Sequence, residues 1–152
     1  MMALIVAFDQ ATKYFAKQYL YGKEAKQFIK GVAEFVYVEN TGAAFSMLSS
    51  GRWFFIILTS AAIIACLIYI FKGKGQKNLW VFWSLGVIIS GAIGNLIDRV
   101  FLGYVVDFIN PTFVNFAVFN IADCAVTLGS VSFIGYLVFD MFKKEKTNEQ
   151  QI

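Results

Sequence analysis

Long uncharged apolar runs dominate the hydrophobic pattern of this chain. Residues 53–71 and 79–97 contain no charged side chain, and a third run, 119–142, is interrupted only by Asp123 and Asp140. A helix rises about 1.5 Å per residue, so each run is long enough to cross about 30 Å of hydrocarbon. The pattern therefore predicts an integral membrane protein with helices over the following ranges: about 52–71, 79–99 and 119–142.

The N-terminal segment follows a different pattern. Residues 1–8 are apolar, but as a helix they rise only about 12 Å, which is too short to span a membrane. No basic segment and no small-residue cleavage site is present, so the pattern does not favour a cleavable signal peptide. We expect the helix to continue past Asp9 and to cover about residues 1–21. The chain length predicts one domain, over residues 1–152.

Composition supports the membrane prediction and removes several chemistries. The chain is 59% hydrophobic and 15% charged, whereas a soluble domain is about half apolar and a quarter charged. The net charge of +3 does not indicate nucleic-acid binding, because the lysines flank membrane segments. There is no histidine, which excludes Ser-His and Cys-His nucleophiles and the usual zinc sites. We expect no disulfide between Cys66 and Cys124.

Basic residues do not by themselves decide the orientation in the membrane. Lysines and arginines are nearly balanced between the two sides of the predicted helices. Their density favours the short 72–78 loop and the C-terminal tail as cytoplasmic.

Polar residues from four separate stretches gather at the membrane face opposite the 72–78 loop. They are Asp9, Glu39, Asn40, Asn95, Asp98, Arg99, Asp107, Asn120 and Asp123. Ionisable groups within membrane segments are functional by default. The alternative is that each is an ordinary interfacial residue at the end of a helix.

Spacing suggests what some of these residues do. Asp9 and Lys13 are four residues apart on one helix, which predicts a structural ion pair. Asn95 and Arg99 have the same spacing and share a helix face, with Asp98 beside them. These groups are expected to lie close together at one end of the helices.

A weakly alternating segment precedes the second predicted helix. Residues 34–38 are rich in β-forming side chains, and Thr41-Gly42 is a turn signal. We expect a short extended piece lying on the membrane surface, with Asn40 at its end.

Two carboxylates from different stretches suggest a shared-proton pair. Asp123 opens the last helix, where a carboxylate is favoured by the helix dipole. Asn120 is itself a good cap residue, so we expect Asp123 to be free for other work. Asp107 is expected in a loop near membrane depth. Neither has a basic neighbour in sequence, which is typical of carboxylates that share one proton.

Five ordered segments resemble the motifs of a known family, the bacterial lipoprotein signal peptidases (signal peptidase II). They are "FDQATK", "ENTGAAFSML", "GAIGNLIDRV", "VVDF" and "FNIADC", and the resemblance spans residues 8–140. It implies a mainly α, integral membrane fold of four transmembrane helices, both termini in the cytoplasm, and a small β-rich extracytoplasmic cradle over about 30–50. It also implies an aspartyl endopeptidase of the bacterial cytoplasmic (inner) membrane with its active site at the extracytoplasmic face.

The resemblance implies a substrate and a set of site residues. The substrate is diacylglyceryl-prolipoprotein, cut before the lipid-modified cysteine, and no cofactor or metal is implied. We expect a monomer that contacts membrane lipid. Carried over by motif, the catalytic pair is Asp107 and Asp123. The polar residues that resemble those around the pair are Asn40, Asn95, Arg99 and Asn120. The residues that resemble structural positions near the site are Asp9, Lys13, Gly42 and Asp98.

Two positions depart from the family pattern. Cys124 stands where the family has a small hydroxyl residue, and Ala117 stands where proline is common.

Two other functions also fit the polar residues. One is a small proton- or cation-coupled transporter. Two observations speak against it: the carboxylates lie at one membrane interface rather than at the midplane, and the sequence has no visible internal repeat. The other is a Ca²⁺ or Mg²⁺ site made of carboxylates, for which a compact acidic loop is missing.

Overall fold

The long apolar runs form helices in the computed structural model, which describes residues 1–42, 51–72 and 78–149, with side chains through residue 143. The elements, in chain order, are α1 (Met2–Leu20), β1 (Lys26–Ile29), β2 (Ala33–Asn40), α2 (Arg52–Lys72), α3 (Leu79–Phe101), β3 (Val105–Pro111) and α4 (Ile121–Glu149). Two parts of predicted segments lie outside the described residues: 43–50 of the cradle and 73–77 of the basic loop.

Among the residues that the structure describes, three helices are long and apolar enough to cross a membrane: Arg52–Lys72, Leu79–Phe101 and Ile121–Lys143. The prediction of a mainly helical membrane fold with a small sheet is confirmed, with three candidate membrane helices among the described residues. Most large apolar side chains of α2 point outward, as expected where hydrocarbon rather than water is the solvent. The last helix begins at Ile121 and continues to Glu149, whereas the sequence predicted 119–142.

The sheet is antiparallel, with strand order β1-β2-β3, and its third strand was not expected. The prediction that Asp107 lies in a loop is wrong, because Asp107 is in the middle of β3. This strand forms by pairing with β2, from which it is separated by α2 and α3. A pairing over such a sequence distance leaves no local signal. The register shifts between Phe35 and Val38, a bulge that lies just before the residues opposite Asp107.

The buried apolar side chains of the described residues form two clusters. Buried side chains from the end of α1 pack against β3, and those of α2 pack against the first half of α3. Glycines allow the helices to approach closely: a methyl group on Gly94 would lie 2.5 Å from an Asp9 oxygen, and one on Gly91 would meet the Ala122 carbonyl of α4. The helices are therefore in contact at their polar ends.

A short extended segment joins the sheet to α4. The Ile109 N–H donates to the Phe119 carbonyl at 2.9 Å, and the Phe119 N–H donates back at 3.0 Å. Because Phe119 directly precedes Asn120, this bridge brings the start of α4 to the middle of β3.

Candidate active site

Asp107 and Asn40 are neighbours on adjacent strands. Val38 lies opposite Asp107, and Asn40 lies opposite Val105. Residues two apart on a strand share a face, so Asn40 and Asp107 are diagonal neighbours on one face of the sheet. The Asn40 Nδ2 donates to Asp107 Oδ2 at 2.8 Å, and the Asn40 Oδ1 accepts from the Gly42 N–H at 3.0 Å. The strand pairing thus sets the orientation of the Asp107 carboxylate.

Asp123 and Asn120 form a reciprocal cap at the start of α4. The Asn120 Oδ1 accepts from the Asp123 N–H at 3.0 Å, and the Asp123 Oδ2 accepts from the Asn120 N–H at 3.1 Å. This is the capping-box arrangement. The expectation that Asn120 caps the helix and leaves Asp123 free is therefore wrong in part, because one Asp123 oxygen also serves the cap. The other, Oδ1, accepts from Asn95 Nδ2 at 2.8 Å.

Asn120 connects the two carboxylates. Its Nδ2 donates to Asp107 Oδ1 at 2.7 Å and lies 3.1 Å from the Asn95 Oδ1. Asn120 is completely buried. Each of the four oxygens of Asp107 and Asp123 thus accepts a hydrogen bond from a fixed donor. Such an arrangement holds two carboxylates in defined positions, and no Lys or Arg of the described part of the chain forms an ion pair with either.

Asp107 and Asp123 face a cavity of about 160 Å³. Its other lining residues are Asn40, Gly42, Arg99, Val105, Phe116, Ala117, Val118 and Phe119. The pKa of Asp107 is raised to about 6, chiefly by burial; the hydrogen bond from Asn40 opposes this rise, and the negative charge of Asp123 contributes to it. A carboxyl group with this pKa can exchange a proton near neutral pH.

Arg99 lies at the edge of the same cavity. Its Nη2 donates to the Gly42 carbonyl at 3.2 Å, and its guanidinium carbon lies 5.1 Å from the centre of the Phe55 ring. The guanidinium therefore joins α3 to the turn after β2 and to α2, and its charge lies near both carboxylates of the pair. Asn95 and Arg99 lie on the same side of α3, as their spacing predicts: Asn95 donates to Asp123, and Arg99 lines the cavity together with Asp123.

A buried ion cluster lies behind the cavity. Lys13 Nζ lies 2.9 Å from Asp9 Oδ2 and 3.1 Å from Asp98 Oδ2. The predicted ion pair between Asp9 and Lys13 is confirmed. Asp9 Oδ1 also accepts from the Ala122 N–H at 2.9 Å, at the positive end of the α4 dipole. The cluster connects α1, α3 and α4 beneath the carboxylate pair.

Sequence reasoning missed two side chains near the site. Gln10 Nε2 lies within hydrogen-bond distance of Asp98 Oδ1, the Gly94 carbonyl and Asp9 Oδ2, at 3.0–3.2 Å. Its position beside Asp9 within "FDQATK" was the available signal. Arg52 caps the end of α3 by donating from Nε to the carbonyl of Arg99 at 2.8 Å. No local pattern in the sequence indicates the contact of Arg52 with Arg99, because it joins two different helices.

The remaining predicted positions are less central. Glu39 is exposed and accepts from the Tyr37 hydroxyl at 3.2 Å, outside the cavity. Cys124 is half-buried next to Asp123, and Ala117 lines the cavity. Within the described ranges, no three His, Cys, Asp or Glu side chains form a group suited to a metal ion.

Comparison with known proteins gives consistent matches over nearly the whole chain. The sequence model of the family described as Signal peptidase (SPase) II matches residues 1–139. Proteins named lipoprotein signal peptidase from Streptococcus pyogenes serotype M5 (strain Manfredo) and serotype M18 (strain MGAS8232) are each 40% identical over 144 residues, covering 95% of this chain and 91% of theirs. A bacterial membrane enzyme solved by the in meso method at 2.3 Å resolution superposes with a TM-score of 0.88 at 34% identity, covering 94% of this chain and 88% of that one. A second, solved at 1.9 Å, has a TM-score of 0.82 at 35% identity, with 90% and 88% covered.

Proposed function

The chain belongs to the signal peptidase II family and is a membrane peptidase, and on that premise we propose that Asp107 and Asp123 are its catalytic pair. The family predicted from the five motifs is confirmed, and so is the prediction of an enzyme rather than a transporter. The observation that supports the assignment is the placement of both carboxylates in one cavity, each with both oxygens held by hydrogen bonds.

The surroundings of the two carboxylates suggest different roles. Asp107 has a raised pKa because it is buried, so it is the better candidate for the protonated member. Asp123 accepts a backbone N–H at the N-terminus of α4 and an amide N–H from Asn95, so both of its oxygens are held as acceptors, and we assign it as the base. Asp123 would take a proton from water as the water oxygen attacks the scissile carbonyl. Asp107 would donate a hydrogen bond to the carbonyl oxygen and later a proton to the leaving amine.

The substrate we propose is diacylglyceryl-prolipoprotein, cut just before the lipid-modified cysteine. The lining of the cavity supports this choice, because Phe116, Val118 and Phe119 offer an apolar surface beside the polar pair. Peptide near the scissile bond would lie against the carboxylates, and the acyl chains would stay in the bilayer. Arg99 would order the turn at Gly42, at the edge of the cavity, rather than take part in the proton transfers.

We also propose that α1 is a fourth membrane crossing. Two of its three ionised side chains, Asp9 and Lys13, are buried against α3 and paired with each other, and the third, Lys17, is exposed in the last turn. Leu4, Phe8 and Phe15 are also exposed. A helix with its mid-span charges neutralised inside the bundle, its apolar side chains outward and a lysine near its end is compatible with a membrane crossing, because a lysine near a helix end can reach the interface. The complete chain would then be one domain and a monomer of the bacterial cytoplasmic membrane, with both termini in the cytoplasm and the cavity at the extracytoplasmic face.

Mass spectrometry of a synthetic diacylated prolipoprotein peptide, incubated with the purified enzyme in lipid, tests the proposal. We expect one cut before the lipidated cysteine, and no cut in the same peptide without the diacylglyceryl group. Asp107→Asn and Asp123→Asn should each lower turnover by about 10²–10⁴-fold. The double variant should lose little more, because members of a catalytic unit do not contribute additively.

Asp140→Asn is the matched control for these variants. Asp140 is on the same helix as Asp123, about 25 Å further along, so the same chemical change there should leave turnover unaltered. Wild-type turnover in either Asp107→Asn or Asp123→Asn, with the cut still present, would contradict the assignment of that residue.

A further inference from the structure

Three asparagine amides donate hydrogen bonds to the carboxylate pair, and the orientation of one of them is fixed by a different kind of contact. Asn40 and Asn120 each accept a hydrogen bond from a backbone N–H two or three residues away. Local backbone geometry therefore decides which end of each amide faces the carboxylates. Asn95 lies within a helix, and its Oδ1 instead accepts from the Lys13 Nζ of another helix at 2.8 Å. The same oxygen accepts from the Asn120 Nδ2 at 3.1 Å, so the orientation of Asn95 depends on side chains 82 and 25 residues away, of which only Lys13 carries a charge.

The ammonium group of Lys13, together with the Asn120 amide donor, determines which way Asn95 faces. An ammonium has three N–H donors and no acceptor, so only the amide oxygen of Asn95 can face it. The amide nitrogen is then directed at Asp123 Oδ1, 2.8 Å away. The three donors of Lys13 have three acceptors, namely Asp9, Asp98 and Asn95, and the side chain is 3% exposed. Lys13 has no donor left for water or for a substrate.

We propose that Lys13 is a positioning residue of the peptidase reaction, which holds the Asn95 amide toward Asp123 and brings a positive charge close to the carboxylate pair. The proposal rests on the assignment of Asp107 and Asp123 as the catalytic pair. It goes beyond the structural ion pair with Asp9, because the contact with Asn95 is not needed to neutralise any charge. Lys13 is not a catalytic residue, since it touches neither the reacting atoms nor the cavity.

The charge of Lys13 has a defined direction of effect. The charged groups around the pair are Lys13 and Asp9 from α1 and Asp98 and Arg99 from α3, besides the two carboxylates themselves. A nearby positive charge favours the ionised form of a carboxyl group, and the charge of Lys13 lowers the pKa of Asp107. Without that charge, both limbs of the pH–rate profile should move to higher pH.

Removing Lys13 alone would leave two buried carboxylates without a cation, and the protein would then be at risk of not folding. The test therefore compares Asp98→Asn with the double variant Lys13→Met/Asp98→Asn, whose cluster has the same formal net charge as the wild type. Lys17→Met is the matched control, because Lys17 is one helical turn further along α1 and exposed. Lys13→Arg keeps the positive charge and tests whether a charge at this position is enough to keep the pH–rate profile in place.

Steady-state rates on the diacylated peptide are measured from pH 5 to pH 9, with thermal midpoints alongside. Relative to Asp98→Asn, the double variant should lose roughly 10- to 100-fold in kcat with KM nearly unchanged. Its pH–rate profile should move up by roughly half a unit to one unit. Lys17→Met should match the wild type, and Lys13→Arg should recover the position of the profile at least in part.

Two outcomes would overturn the proposal. One is a double variant that differs from Asp98→Asn only in thermal midpoint, with the same kcat and the same profile. The other is a loss that appears only in KM. Either result leaves the proposed function intact, because the wild type still cleaves and Asp107→Asn does not. A wild type that fails to cleave the peptide would instead contradict the proposed function itself.

Discussion

Replacing Asp107 by asparagine should stabilise the protein while removing its activity. The side chain is 2% exposed, and burial is the largest cause that raises its pKa from 3.8 to about 6. A carboxyl group whose pKa is raised on folding prefers its neutral form in the folded state. Above the folded pKa it must be ionised, and that ionisation then opposes folding.

The size of the effect follows from the pKa difference. A rise of about 2 units, at about 1.4 kcal/mol per unit, corresponds to about 3 kcal/mol of folding free energy lost when Asp107 ionises. Asparagine avoids that cost, but its NH₂ group would face the amide donor of either Asn40 or Asn120. One lost hydrogen bond costs about 1 kcal/mol. Asp107→Asn should therefore gain about 2 kcal/mol near pH 8, or roughly 4–8 °C in thermal midpoint for a chain of this size.

The stabilisation expected for Asp107→Asn should depend on pH. The stability that neutral Asp107 permits is fully present below about pH 4 and is lost as the pH rises through about 6. Thermal midpoints of wild type and Asp107→Asn in one detergent should thus differ at pH 8 and converge at pH 4. Asp9→Asn is the contrasting variant, and it should be less stable than the wild type because it breaks the contact with Lys13. An Asp107→Asn midpoint at or below the wild-type value at pH 8, or an equal gain at both pH values, would refute this reasoning.

Three further predictions concern activity. Arg99→Lys should insert normally yet lose at least about 10-fold in turnover, since an ammonium cannot both donate to the Gly42 carbonyl and stack on Phe55 as the planar guanidinium does; full turnover of purified Arg99→Lys would show that this ordering is dispensable. Cys124→Ser should retain cleavage, measured on the same peptide, and a thiol reagent that blocks the wild type but not Cys124→Ser would assign the thiol a role we do not expect. Chelation by EDTA should leave turnover unchanged, because a carboxylate pair needs no metal, and loss that Mg²⁺ or Ca²⁺ restores would favour a metal site instead.

Features that depend on local pattern could be predicted from the sequence alone. The uncharged runs 53–71 and 79–97 indicated membrane helices because length and hydropathy are properties of a continuous segment. The Asp9–Lys13 pair followed from helical spacing, since residues four apart share a face whatever the rest of the fold does. The order of the five motifs indicated the family, which comparison then showed.

The contacts that hold Asp107 depend instead on long-range packing. Its strand, β3, exists because it pairs with β2 from a distant part of the chain, and that pairing turns Asp107 toward Asn40. A seven-residue segment of mixed pattern gives no local sign of such a partner, so a loop was the natural expectation. The bridge between Ile109 and Phe119 then brings Asp123 to the same place.

The tertiary structure likewise decided the role of Lys13. Helical spacing identified its pair with Asp9, but the contacts with Asp98 and Asn95 require α3 to lie against α1 with Gly94 at the crossing. Hydrogen bonds between helices depend on ångström-scale distances and on which end of an amide faces its partner. Those quantities are set by the packing of the bundle, and no spacing along one segment can predict them.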